Sequence, residues 1–77
     1  MSLQFNMVEV FQTTVSNTRQ AKLLQQNILV RYPDLQINFD LQDCDNILRI
    51  VYEKELNRPG IEAISNRMGI RIKVLDE

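Results

Sequence analysis

The 77-residue sequence contains no histidine and only two glycines. The hydroxyl side chains of Thr14, Ser16 and Thr18 therefore have no imidazole base nearby that would activate them as nucleophiles. Two glycines are also too few for a glycine-rich phosphate-binding loop. Because the chain offers no set of acid, base and nucleophile, we expect a protein that is not an enzyme and that needs no cofactor.

A single cysteine, Cys44, cannot form an intramolecular disulfide. Secreted domains of this size usually depend on several disulfides, so the sequence favours a reducing, cytoplasmic compartment. The flanking carboxylates of Asp43 and Asp45 disfavour the thiolate form of this cysteine. We interpret Cys44 as a structural or incidental thiol, and we keep a redox or metal role as the alternative.

The chain also lacks an excess of basic residues and a long apolar run. Nine Lys and Arg residues against ten Asp and Glu give a net charge of -1, which does not suit a protein bound to nucleic acid through phosphates. No apolar stretch approaches the roughly 20 residues of a membrane span. We expect no nucleic acid partner and no membrane insertion. We take residues 1–6 as a leader or disordered start and 7–77 as one domain, because the chain is too short for two cores.

The apolar residues that are present repeat with the periods of strands and helices. Ala21, Leu24 and Ile28 have the three- and four-residue spacing of one helical face, while Leu35 to Leu41 alternate apolar and polar residues as in a strand. Similar patterns predict strands at 7–15, 35–41, 47–52 and 70–74, and helices from about 18 to 31 and from Pro59 to Gly69. The order is βαββαβ.

This order predicts an α+β, ferredoxin-like two-layer sandwich, with an antiparallel four-stranded sheet and both helices on one face. The predicted core comprises Leu24, Ile28, Ile37, Phe39, Leu48, Ile50, Ile61, Ile64 and Ile72. If Val8 and Val10 point toward the helices, Phe11 lies on the outer face of the sheet, and Ile47 and Val51 join it there. We predict that Phe11, Ile47 and Val51 form an interaction surface for a protein partner or a homodimer.

Two segments carry a resemblance to a known family. The segment 32–41, Tyr-Pro-Asp-Leu-Gln-Ile-Asn-Phe-Asp-Leu, and the run Ile61 to Ile64 ahead of Met68 and Gly69 occur in the order and at spacings similar to those of heavy-metal-associated, copper-chaperone-like domains. The resemblance extends from Met7 to Leu75. It implies the same βαββαβ fold.

The family binds metal through a C-x-x-C motif where the first strand meets the first helix, and here Asn17 and Gln20 occupy the cysteine positions. Neutral amides are poor ligands for copper or zinc, whereas Asn is a good helix N-cap and a Gln three residues later can complete a capping box. The resemblance therefore implies a degenerate member without the metal site, and we expect a protein-interaction module. The alternative is a copper- or zinc-handling protein with a displaced site at Cys44 and perhaps Met68.

Overall fold

The structure of the chain, a computed structural model, describes residues 6–42 and 46–75. It contains four strands and two helices in the predicted order. They are β1 (Met7–Thr13), α1 (Thr18–Arg31), β2 (Gln36–Asp40), β3 (Ile47–Tyr52), α2 (Arg58–Arg67) and β4 (Ile72–Val74). The first and last strands are each two residues shorter than the sequence pattern predicts, and both differences fall at the same end of the sheet, where β1 leads into α1.

The four strands form one antiparallel sheet in the order β2-β3-β1-β4. Each helix therefore crosses over one intervening strand, which is the split βαβ arrangement of the ferredoxin-like fold. Side chains of both helices and of all four strands pack in or against one hydrophobic cluster, so both helices cover the same face of the sheet. We call this the inner face, and the opposite side the outer face.

The core confirms most of the residues predicted from the sequence. Seven of the nine belong to the buried cluster, and the other two, Phe39 and Ile72, pack against it at its margin. The cluster also contains Phe11, Val15, Ala21 and Ile70, which the predicted core did not include. Of these, Phe11 changes the interpretation of the outer face.

Gly69 ends α2 as the sequence predicts. Its φ of 74° lies in the left-handed region, where a glycine carries no steric penalty from a Cβ. The Gly69 amide donates to the Asn66 carbonyl (3.0 Å) and the Ile70 amide to the Ser65 carbonyl (2.9 Å). These two bonds are a Schellman motif, which satisfies the last carbonyls of the helix and turns Ile70 into the core.

Candidate functional site

Asn17, which the sequence resemblance aligns with the first cysteine of the metal motif, is the N-cap of α1. Its backbone is extended, and its Oδ1 accepts a hydrogen bond from the Gln20 amide at 2.8 Å. This bond satisfies one of the amides that a helix N-terminus leaves without an intrahelical acceptor. The predicted cap is confirmed.

Gln20, at the second motif position, also has a structural role, although its partner differs from the predicted one. Its Oε1 accepts from the Ser16 amide at 2.8 Å and from the Ser16 hydroxyl at 3.3 Å, not from the Asn17 amide. The returning Gln20 side chain thus bonds to the residue before the cap. Both side-chain oxygens at the motif positions thus accept backbone amides.

The threonines beside this helix start join β1 to its neighbours. The Thr13 hydroxyl donates to the Asn46 carbonyl at 2.7 Å, and the Thr14 hydroxyl accepts from the Arg71 amide at 2.9 Å. Backbone bonds connect the same residues, with Thr13 N donating to Asn46 O and Thr14 N to Arg71 O. These hydroxyls extend the sheet where its strands end, and their described hydrogen bonds are all to backbone groups.

Of the residues of the alternative metal site, the structure describes Met68. Cys44 lies outside the described residues. The Met68 thioether accepts a hydrogen bond from the Asn27 amide group at 3.6 Å. Since Asn27 is ten residues along α1 from Asn17, Met68 lies roughly 15 Å from the motif position along the helix axis. Among residues 6–42 and 46–75 there is no group of three His, Cys, Asp or Glu side chains that could hold a metal ion.

The predicted outer face requires a correction, because Phe11 points inward. It is fully buried in the core cluster, whereas Val8 is 53% exposed. β1 has apolar residues in both alternating sets, so its faces could not be assigned from periodicity alone. The larger side chain occupies the core because it removes more apolar area from water than a valine does.

Ile47 lies on the outer face as predicted but is only 3% exposed, and it does not belong to the core cluster. Val51, the third predicted residue, is half-buried on the same face. The strand register places Val51 directly opposite Val8, with half-buried Val10 on the same face of β1. We call Val8, Val10 and Val51 the valine patch.

The C-terminal end of the described chain continues along this patch. The Leu75 amide donates to the Val10 carbonyl at 2.9 Å, so pairing with β1 extends one residue beyond β4. Strand alternation places half-buried Leu75 on the outer face, because its neighbour Val74 packs against the core. The outer face thus has an apolar strip across three adjacent segments of backbone.

Charged side chains of the outer face occupy defined positions in the register. One cross-strand row consists, from β2 to β4, of Asp40, Ile47, Gln12 and Lys73. The next row contains Asn38, Arg49 and Val10. A carboxylate and an ammonium group therefore lie at opposite edges of one row, with a guanidinium near the centre of the face.

A cross-element ion pair that the sequence analysis missed joins Glu9 to Arg58. Glu9 lies on the inner face of β1, opposite Ile50, and its Oε1 accepts from Arg58 Nε at 2.8 Å. This hydrogen bond, together with the negative charge of Glu9, raises the pKa of Arg58 above its ordinary value. Because Arg58 opens α2, the pair fixes the start of that helix over β1. From the sequence, only the expectation that Phe11 is buried could have indicated that Glu9 faces inward. The partner Arg58 could not be predicted because it is 49 residues away in the chain.

A groove of about 540 Å³ lies between α1 and the edge strand β2. Its lining is mixed, with Lys22 and Gln25 from the helix and Phe39 and Leu41 from the strand side. An open groove beside a strand edge suits an extended peptide better than an enclosed small molecule. We consider it as a second candidate docking surface below.

Comparisons with protein families, with curated proteins and with solved structures found no match for this chain. No helix within the described residues is both long and apolar enough to cross a membrane.

Proposed function

We propose that this chain is a non-enzymatic domain of the heavy-metal-associated type without its metal site, and that it binds protein through the outer face of its sheet. The observation that carries the proposal is the valine patch. Val8 and Val51 lie directly opposite each other on the two central strands, on the face that the helices do not cover, and Val8 is 53% exposed. Adjacent apolar side chains on neighbouring strands are typical of an interaction surface, whereas single scattered ones are ordinary.

The loop before α1 is a poorer docking surface for an energetic reason. Removing apolar area from water contributes roughly 25 cal/mol per Å². The side-chain oxygens of Asn17 and Gln20 already accept backbone amides, so a partner would have to compete with existing hydrogen bonds for little net gain. The same two bonds argue against metal at the motif positions, since ligation would uncap the helix.

The groove beside β2 is the main competitor on this domain. Its edge strand has five residues, enough to pair with a short extended peptide. The other edge, β4, has only three residues and carries Lys73, which discourages strand addition. We favour the sheet face over the β2 edge because the valine patch lies on the two central strands and includes Val8, which is 53% exposed.

Site-specific photo-cross-linking in the native cell tests the proposal. A photo-reactive amino acid is placed at Val8 on the outer face, at Lys22 beside the β2 groove, or at Val30 on α1. Val30 is the matched control because it is a valine of 86% exposure outside both surfaces. We expect a discrete protein adduct from position 8 and none from position 30. The adduct is then identified, purified and titrated against the wild type and a Val8→Asp variant.

The expected result is binding of the purified partner that Val8→Asp weakens at least tenfold while the circular dichroism spectrum is unchanged. Discrete adducts from Lys22 without any from Val8 would assign binding to the groove and overturn the sheet-face proposal. A turnover of any substrate by the purified chain would overturn the non-enzymatic part.

A further inference from the structure

We propose that the outer face docks a second copy of this chain, about a two-fold axis that runs parallel to the strands. This inference rests on the proposed function, because it names the partner of the same face. It is drawn from the placement of the charged residues in the strand register. A self-associating face must be complementary to itself, and only certain arrangements of charge satisfy that condition.

The strand order fixes where such an axis lies. In the order β2-β3-β1-β4, the midline of the sheet falls between the central strands β3 and β1. A two-fold rotation about that line places β3 over β1 of the second copy and β2 over its β4, while each cross-strand row stays at its own level. Two sheets packed in this way lie about 10 Å apart and cross at about 30°.

This rotation brings opposite charges together at both edges. Asp40 and Lys73 lie at the two ends of one row, so each carboxylate faces the ammonium group of the other copy. The long Lys73 side chain can span the small offset that the crossing angle introduces. In the row two levels away, Val51 faces Val8 of the second copy, again twice by symmetry. The dimer thus buries Val8 and Val51 and, two rows away, pairs opposite charges at both edges of the interface.

The other in-plane two-fold axis, perpendicular to the strands, is disfavoured. It would keep each strand over its own counterpart and reverse the rows, so Arg49 of β3, in the middle row, would face Arg49 of the second copy. Two guanidinium groups would meet near the centre of the interface without a carboxylate between them, and like charges in contact are unfavourable there. With the axis parallel to the strands, Arg49 instead lies over Val10, and the two Arg49 residues are offset laterally by one strand spacing, about 4.8 Å.

The area of the face sets the strength of the contact. Four strands at about 4.8 Å spacing and about five residues at about 3.3 Å cover roughly 320 Å² per copy. Stable interfaces bury about 800 Å² per partner. Because this area is well below that of a stable interface, we expect a weak, reversible dimer with a dissociation constant on the order of 0.1 to 1 mM.

Sedimentation velocity of charge-reversed variants tests the inference. The chain concentration runs from about 10 µM to about 2 mM, a range that brackets the expected dissociation constant. Asp40→Lys alone gives two repulsive pairs per dimer, and so does Lys73→Asp alone. A mixture of the two variants restores two attractive pairs in the heterodimer. We expect each variant alone to dimerise at least about tenfold more weakly than the wild type, and the equimolar mixture to recover most of the wild-type association. Lys22→Asp, a reversal on α1, is the control and should dimerise like the wild type.

The neutral variants Asp40→Asn and Lys73→Gln control for misfolding of the charge-reversed variants. Asp40→Asn keeps a side-chain oxygen that can accept the hydrogen bond from the Gln42 amide, as Asp40 does. We expect each to weaken the dimer less than its charge-reversed counterpart. A wild-type chain that stays monomeric at about 2 mM overturns the inference, as does a dimer unaffected by either reversal, or a mixture that fails to recover. These outcomes concern only self-association. A cross-link from position 8 to a different protein would still support the proposed function if the dimer is not found.

Discussion

The inward position of Phe11 can be tested by removing its ring. The side chain is fully buried in the core cluster, on the central strand β1. Truncation of a buried Phe to Ala costs about 3 to 5 kcal/mol, from lost burial and from the cavity that remains. A chain of this length has a total free energy of unfolding of roughly 4 to 12 kcal/mol. Phe11→Ala should therefore remove a large share of the stability of the domain.

Urea unfolding monitored by circular dichroism measures the effect. With a slope of about 1 kcal/mol per M for a small domain, the midpoint should fall by about 3 M or more. Val8→Thr is the control, because it keeps a β-branched side chain at an exposed strand position and should change stability by less than about 0.5 kcal/mol. If Phe11→Ala costs under about 1 kcal/mol and Val8→Thr costs more, Phe11 lies on the outer face and our assignment of β1 is wrong.

Three further predictions concern the helix starts and the thiol. Asn17→Ala should lower the free energy of unfolding by about 1 kcal/mol through loss of the N-cap, whereas Asn17→Asp should largely preserve it; thermal unfolding at matched pH compares them. Gly60→Ala should destabilise the domain, although alanine is the better helix former by about 1 kcal/mol, because the new Cβ would collide with the Tyr32 hydroxyl. Adding Tyr32→Phe should recover part of the lost stability. A double-mutant cycle that shows no coupling between the two positions would refute the collision. The reduced chain should retain neither monovalent copper nor zinc at micromolar concentration in native mass spectrometry, since one thiol cannot complete a thiolate site. A stoichiometric adduct that Cys44→Ser abolishes would instead support the displaced metal site.

The elements were predictable because their patterns are local. The alternation from Leu35 to Leu41 and the helical spacing of Ala21, Leu24 and Ile28 each favour one structure without reference to the rest of the chain. The order of these elements then leaves few ways to form one antiparallel sheet with right-handed crossovers. The N-cap at Asn17 was equally local, since it depends on residues three positions apart.

The face of β1 was not predictable in this way. Glu9 belongs to the same alternating set as Phe11, and a carboxylate normally marks the solvent side of a strand. Here Arg58 pairs with it from the start of α2, so the charge is tolerated on the inner face. Only the tertiary structure brings these two residues together. Their pairing determines which side chains of β1 face outward. The proposed interaction surface therefore contains Val8 and Val10 in place of Phe11.

The valines of the outer face have an alternative explanation, which is that they serve only to form strands. Valine has high β propensity, and isolated exposed apolar residues need no special explanation. The outer face itself supplies the comparison, because Gln36 and Asn38 on β2 and Gln12 on β1 occupy strand positions of the same face with polar side chains. β2 thus forms with only polar residues on its outer side. The valines instead lie on the two central strands, where Val8 and Val51 are direct cross-strand partners. Because these valines are clustered, they are not scattered exposed residues of the ordinary kind. The centre of the sheet is therefore the surface that a partner would cover.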